Sequence, residues 1–298
     1  MKNHLRVVFC FSADTIKADD IFPATATDKD ILMLKKLLLG ATCTLLIVAC
    51  AQSPTGRRQI MLFNDTELSK MGAQTFESMK AETPIAKDAK TNNYVKCVAN
   101  SLLAVTPDSM RAQSWEIVVF DSDQVNAFAL PGGKIGVYTG LLKVAENQDQ
   151  LAAVVGHEIG HVIAGHSNER LSTNQALQTV LSLGDAGMKA YGVKYQQELM
   201  TAFGLGAQLG VALPFSRAHE SESDIIGLDL MAKAGFEPRQ AVNLWQNMAA
   251  AGGGGTPEFM STHPLPETRI KDLREKMPAA MKTYNDRKAA SSLPKCSR

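Results

Sequence analysis

His157-Glu158-Ile159-Gly160-His161 is the stretch on which the reading of this chain turns. It lies in a run whose apolar residues, Leu151, Val154, Val155, Ile159 and Val162, recur at helical spacing. Asn147 stands where it can cap that helix, and Gln150 three residues later completes a capping-box pattern, so a helix is expected from Asn147 to about Ser167. Residues four apart share a helical face, and both imidazoles can therefore reach one metal ion. Glu158 follows the first histidine and can approach a water on that metal without ligating it. Two histidine ligands beside a carboxylate base form a pattern suited to zinc-assisted hydrolysis. The bland alternative is a surface helix with coincidental spacing. Against it stands the apolar remainder of the helix, which would bury two histidines and a glutamate at a cost unless they had a partner.

A third ligand is needed, and two residues compete for the role. His166 is nine residues after His157, about 180° around a continuous helix, so it is expected to face away as a structural or surface histidine. Glu220 lies in Ser216-Arg217-Ala218-His219-Glu220-Ser221-Glu222-Ser223-Asp224, at the start of a helix expected from Arg217 to Ala234. Gly235 is placed to end that helix and Pro238 to start the next. Glu220 and Asp224 are four apart on one face, so one can bind metal while the other accepts a proton from a ligand histidine. Glu222, rotated by roughly 200°, is expected in solvent, as is His219. The competing reading of the cluster is an ordinary charged helix start.

Outward from these segments the chain is mainly helical. Thr66–Lys80 and Asn92–Ala104 have helical spacing, while Trp115–Phe120, Val125–Leu130 and Lys134–Tyr138 are strand candidates, the last two joined by Pro131-Gly132-Gly133. Gly252 to Gly255 is expected to be a flexible loop. The fold class expected is α+β, mainly helical, with a small sheet and the motif-bearing helix. With 298 residues, 45% apolar content and 20% charged content the chain reads as globular, and its net charge of +1 gives no case for nucleic acid.

The amino-terminal region suggests a compartment. Lys35 and Lys36 precede an apolar run from Leu37 to Val48 that ends in Ala49-Cys50. This is shorter than the roughly 20 residues needed to span a bilayer and has the order of a secretory signal. It resembles a bacterial lipoprotein signal, which implies acylation of Cys50 and, with Ala51 following, sorting towards the outer membrane. A short membrane anchor or buried helix is the alternative. The expected organisation is an upstream extension, mis-assigned or disordered, over 1–32; a signal over 33–49; a polar tether over 50–65; the catalytic domain over 66–280; and a tail over 281–298. Cys97 and Cys296 would remain in an oxidising compartment, either as a disulfide or as two free thiols. A bridge closing so long a loop contributes roughly 3–5 kcal/mol by the chain-entropy model.

Four stretches together resemble the zinc endopeptidase family that includes the CAAX prenyl endopeptidases, the mitochondrial Oma-type proteases and bacterial periplasmic quality-control members. They are Asn126-Ala127-Phe128-Ala129-Leu130-Pro131-Gly132-Gly133 with Gly140-Leu141-Leu142, the His157–His161 motif, Glu220–Asp224 with Ser223 where alanine is usual, and Ser261-Thr262-His263-Pro264 followed by Arg269. They span about Thr66 to Met277 in the family's order. The resemblance implies a zincin-like domain holding one zinc ion through His157, His161 and Glu220, with Glu158 as general base and Asp224 and Arg269 supporting the ligands. It implies that Asn126, Ala127, Phe128 and Ala129 form a substrate-binding edge strand, whose alternative is an ordinary core hairpin. His263 would stabilise the oxyanion or close onto zinc and hold the enzyme latent; the alternative is a capping or surface residue. Substrates would be misfolded or stalled envelope proteins, with outer-membrane assembly machinery as a partner. Two other readings are open: a latent, chaperone-like zinc module, and an integral-membrane protease supported by the apolar run Leu199–Phe215.

Overall fold

The computed structural model describes residues 50–190, 215–251, 258–263, 267–291 and 293–298. The expected upstream extension and signal, the apolar run up to Pro214, the Gly252–Gly255 loop and Pro264 lie outside the described residues. The chain divides into two compact units, Ala49–Thr173 with Leu213–Arg298, and Met1–Val48 with Asn174–Ala212. Of the second unit only 174–190 is described, as helix; everything below concerns the first. Among the described residues, no helix is long and apolar enough to cross a membrane.

In chain order, the amino-terminal strands are β1 (Cys50–Gln52) and β2 (Arg58–Ile60), followed by helices α1 (Asp65–Glu82), α2 (Ala89–Leu103) and the short α3 (Asp108–Arg111). Strands β3 (Glu116–Phe120), β4 (Ala127–Leu130) and β5 (Lys134–Tyr138) come next. Helices α4 (Leu141–Val144), α5 (Gln148–Ile163), α6 (His166–Ala190), α7 (Arg217–Ala234), α8 (Gln240–Ala251), α9 (Glu258–Thr262) and α10 (Glu267–Ala290) complete the described chain. β5 is central in the sheet, parallel to β3 and antiparallel to β4, which leaves β4 at an edge.

Local chemistry explains the helix ends. Asn64 and Glu67 form a reciprocal capping box at the start of α1. Asn147 caps α5 by accepting from the amides of Asp149 and Gln150, while the Gln150 side chain accepts from Glu146 N, one residue before the expected position. Gly235, at φ 91°, ends α7 in the left-handed conformation that glycine adopts at little cost.

The motif helix is more deeply set than its apolar stripe suggested: every residue from Gln150 to His161 is buried. Val95, Val98 and Leu102 of α2, Val119 and Val137 of the sheet, and Leu228 and Met231 of α7 share one core with Leu151, Val155 and Ile159. The crossing of α5 and α7 is close because small residues meet. A side-chain carbon added at Gly227 would stand 2.8 Å from His157 N, and one added at Gly160 would stand 2.7 Å from Ser223 Oγ. Ser223 donates its hydroxyl to the His157 carbonyl. This contact of small residues sets Glu220 and Asp224 opposite the two histidines.

The segments read from the sequence as a tether and a tail carry regular structure. Residues 50–65 begin with the antiparallel β1–β2 hairpin, in which Ala51 faces Gln59, rather than with a tether. Arg57 of that hairpin pairs with Glu169 at 2.6 Å and Glu222 at 3.0 Å, a charge match invisible from local composition. The expected tail over 281–298 continues α10 to Ala290 and then returns to the core. Cys296 is joined to Cys97 of α2 across a sequence separation of 199, and its amide donates to Gln148 Oε1 at 2.8 Å.

Candidate metal centre

α5 crosses α7 where Gly156 and Gly160, beside the motif histidines, meet Gly227 and Ser223. His157 and His161 point to a common place, with their Nε2 atoms 3.0 Å apart. Glu220, from the first turn of α7, brings Oε2 to 3.4 Å from His157 Nε2 and Oε1 to 3.5 Å from His161 Nε2. His263, just after α9, completes the group, its Nδ1 lying 3.0 Å from Glu220 Oε1 and 3.3 Å from His157 Nε2. One atom from each of these four buried residues lies within 4.8 Å of all the others.

The spacing can be tested against a cation. Four ligand atoms around zinc at about 2.0–2.1 Å in a tetrahedron stand roughly 3.3 Å from one another. With Oε1 taken as the Glu220 donor atom, the four separations just given among the donors run from 3.0 to 3.5 Å, and Oε2 lies 3.4 Å from His157 Nε2. Three imidazole nitrogens and one carboxylate are also the donor types that zinc takes. Without a cation, so many lone pairs converging in a buried place would repel. The residues present fit a bound metal ion.

Supporting groups differ between the two helical histidines. His157 Nδ1 meets Asp224 Oδ1 at 2.9 Å, as the four-residue spacing of Glu220 and Asp224 predicts. Burial disfavours charge on this imidazole, but the Asp224 and Glu220 carboxylates outweigh it and raise its pKa to about 9. Arg269 is fully buried and forks onto Asp224, with Nε at 2.7 Å from Oδ2 and Nη2 at 2.8 Å from Oδ1, while Nη1 reaches Glu220 Oε2 at 2.7 Å. Its guanidinium carbon also lies 4.5 Å from the Trp245 ring centre, a stacking partner that no motif disclosed.

His161 leans on a residue the helical count had turned away. His166 Nδ1 lies 2.8 Å from His161 Nδ1, and His166 Nε2 lies 3.1 Å from Glu222 Oε2. The count failed because the helix does not continue: α5 ends at Ile163, and Gly165 takes φ 67° before α6 begins. That glycine was the available signal of a helix end. Glu222 and His219 are likewise buried rather than solvated. Glu222 is met by Arg57, Thr55 and His166, and His219 stacks on His166 and pairs with Glu169 at 3.0 Å. The partners that bury Glu222 and His219 come from the β1–β2 hairpin and from α6, not from α7 itself.

Glu158 belongs to the site without belonging to the donor set. Its Oε2 accepts from Ala129 N of edge strand β4 at 3.3 Å, and its Oε1 has no hydrogen-bond donor among the described residues, with His263 Nε2 3.5 Å away. Burial raises its pKa, opposed by the neighbouring imidazoles. Ala127, Phe128 and Ala129 form β4 with Leu130, while Asn126 precedes the strand and accepts from Tyr138 N through its carbonyl at 3.1 Å. The His263 ring is held between Phe259 and Phe215, stacked at centroid distances of 4.6 and 5.4 Å.

Comparison with known proteins agrees with this arrangement. Residues 89–277 match Peptidase family M48. The chain is similar to the mitochondrial metalloendopeptidase OMA1 of Schizosaccharomyces pombe, 35% identical over 226 residues, covering 73% of this chain and 64% of that protein. It is similar to the enzyme of the same name from Arabidopsis thaliana, at 37% identity over 71% of this chain and 41% of that protein. It is also similar to the beta-barrel assembly-enhancing protease of Yersinia pestis, at 30% identity over 71% of this chain and 44% of that protein. The matched region is thus less than two thirds of each relative's length.

Proposed function

The chain belongs to peptidase family M48, and from that membership we propose that it is a zinc-dependent endopeptidase, with one zinc ion held by His157, His161 and Glu220 and with Glu158 as general base. The observation that carries the proposal is the convergence of His157, His161, Glu220 and His263, with donor-atom separations through Glu220 Oε1 of 3.0 to 3.5 Å, in the range that zinc ligands adopt. Zinc bound there would polarise a peptide carbonyl and acidify a water. Glu158 Oε1, beside the donor set, takes the proton from the attacking water and passes it to the departing amine nitrogen. Asp224 holds His157 through Nδ1, and Arg269 holds both Asp224 and Glu220. Edge strand β4 offers main-chain groups to an extended substrate, with Asn126 leading into it.

The test is metal content. Purified protein is expected to carry one zinc per chain, and His157→Ala none; equal zinc in both would end the proposal.

His263 supports a second, linked reading. A catalytic zinc keeps one position open, whereas four protein donors close it. With His263 Nδ1 among the donors, the arrangement supports a resting form in which His263 is the fourth ligand rather than an oxyanion stabiliser. His263→Ala is then expected to hydrolyse unfolded polypeptide faster than the natural chain. A loss of rate instead would favour the oxyanion role, and no hydrolysis by either form would favour the chaperone-like module.

The cellular setting is proposed on the signal-like segment ending at Cys50: a lipid-anchored periplasmic protein at the outer membrane, acting on misfolded or stalled envelope proteins. The Yersinia relative is named a beta-barrel assembly-enhancing protease, which supports a partner in beta-barrel assembly, proposed here to be that of the outer membrane. Since two of the relatives above are mitochondrial by name, the compartment rests on that segment rather than on the family.

A further inference from the structure

We propose that His166 and Glu222 are positioning residues for the metal ligand His161, and that Arg57 of the β1–β2 hairpin clamps them; the inference rests on the zinc-site reading above. The case is one of proton placement. An ionised carboxylate only accepts hydrogen bonds, so the contact between Glu222 Oε2 and His166 Nε2 puts the His166 proton on Nε2. A neutral His166 then offers a lone pair at Nδ1. Only a proton on His161 Nδ1 can satisfy the 2.8 Å contact between the two Nδ1 atoms. That leaves the lone pair of His161 on Nε2, the atom that faces His157 and Glu220. The relay therefore selects the one tautomer of His161 that can ligate.

The far end of the relay is fixed by the hairpin. Arg57 gives Nε and Nη2 to Glu222 Oε2 at 3.1 and 3.0 Å, and Thr55 Oγ1 donates to Glu222 Oε1 at 2.6 Å. The guanidinium also forks onto Glu169 at 2.6 and 2.7 Å. Gln59 ties Glu169 at 2.9 Å to the Ala164 carbonyl at 2.7 Å, at the end of α5. The arrangement repeats, one imidazole longer, what surrounds the other ligand: His157 Nδ1–H donates a hydrogen bond to Asp224, and Arg269 pins Asp224 from outside the α5–α7 pair. An arginine from a separate element thus locks each helical ligand. Supporting groups of this kind typically alter metal affinity 10–100-fold.

The test measures zinc affinity of the full chain by chelator competition, together with the absorption spectrum of the cobalt(II)-substituted protein. Glu222→Leu keeps much of the volume and removes the acceptor of the His166 Nε2 proton; His166→Phe keeps a ring and removes the acceptor of the His161 Nδ1 proton. Both are expected to weaken zinc binding about 10–100-fold and to shift the cobalt bands, and Arg57→Met to do so less. Zinc affinity within twofold of the natural chain for both Glu222→Leu and His166→Phe would overturn the proposal, even if the metal-free variants melted earlier. If His166→Phe does not fold, Glu222→Leu decides, because it leaves both imidazoles in place. His157→Ala separates the two readings: loss of zinc there with normal affinity in the relay variants refutes only the relay, whereas retention there refutes the zinc site itself.

Discussion

Glu158→Gln is expected to keep its zinc and to lose peptide hydrolysis by about 10²–10⁴-fold, the usual worth of a positioned general base. The substitution preserves volume and the Ala129 N contact, since an amide oxygen can replace Oε2 as acceptor. What it removes is the lone pair of a carboxylate whose Oε1 is buried beside the donor set and takes no hydrogen bond among the described residues. Burial raises the pKa of this carboxyl, which makes it a stronger proton acceptor than an exposed glutamate while His157 and His263 nearby oppose the rise. Because Glu158 is outside the four-residue donor group, its loss should not release metal. The measurement is hydrolysis of a labelled unfolded polypeptide with zinc content determined on the same samples, repeated in the His263→Ala background so that a closed shell does not mask the effect. A variant that hydrolyses at the natural rate in that background would remove Glu158 from the chemistry.

The second large effect concerns Arg269. Replacing it with methionine is expected to destabilise the metal-free protein by about 3–5 kcal/mol, the typical cost of leaving a buried charge without its partner. Here two carboxylates lose their arginine at once, Asp224 and Glu220, both buried and both contacted at 2.7–2.8 Å, and only imidazoles such as those of His157 and His263 are left to face them. Methionine would fill much of the space beside Trp245 but supply no donor. Lysine should recover only part of the loss, because a point charge cannot satisfy Asp224 through two parallel bonds and reach Glu220 as well. Denaturant unfolding of natural, Arg269→Met and Arg269→Lys proteins reads the difference directly. Equal midpoints and slopes across the three would show that the guanidinium does not hold these carboxylates in the folded state.

Much of this was legible before any coordinates. The five residues from His157 to His161 announce a metal pair because helical geometry fixes the relation between positions four apart, whatever surrounds them. The same rule joins Glu220 to Asp224, and the turn chemistry at Pro131-Gly132-Gly133 separates β4 from β5. These are short-range inferences, each valid within one element. The sequence is silent where an element stops early or where a partner arrives from a distant one. Nine residues place His166 opposite His157 only on an unbroken helix, and Gly165, after Ala164, breaks it. Nothing within α7 asks for Glu222; Arg57 does, from 165 residues earlier.

The linear order of residues therefore determined what kinds of groups the molecule possesses and which of them share a helical face, since backbone geometry alone decides both. It determined the motif, the supporting carboxylate of His157 and the small residues at Gly156, Gly160, Ser223 and Gly227. Only the tertiary structure decided which side chains meet across elements: the close crossing of α5 with α7, the entry of His263 into the donor set, and the hairpin arginine behind His161. Those choices depend on charge and shape matched over long separations, where desolvation makes an unpaired group costly and a paired one specific, and no local pattern carries that information.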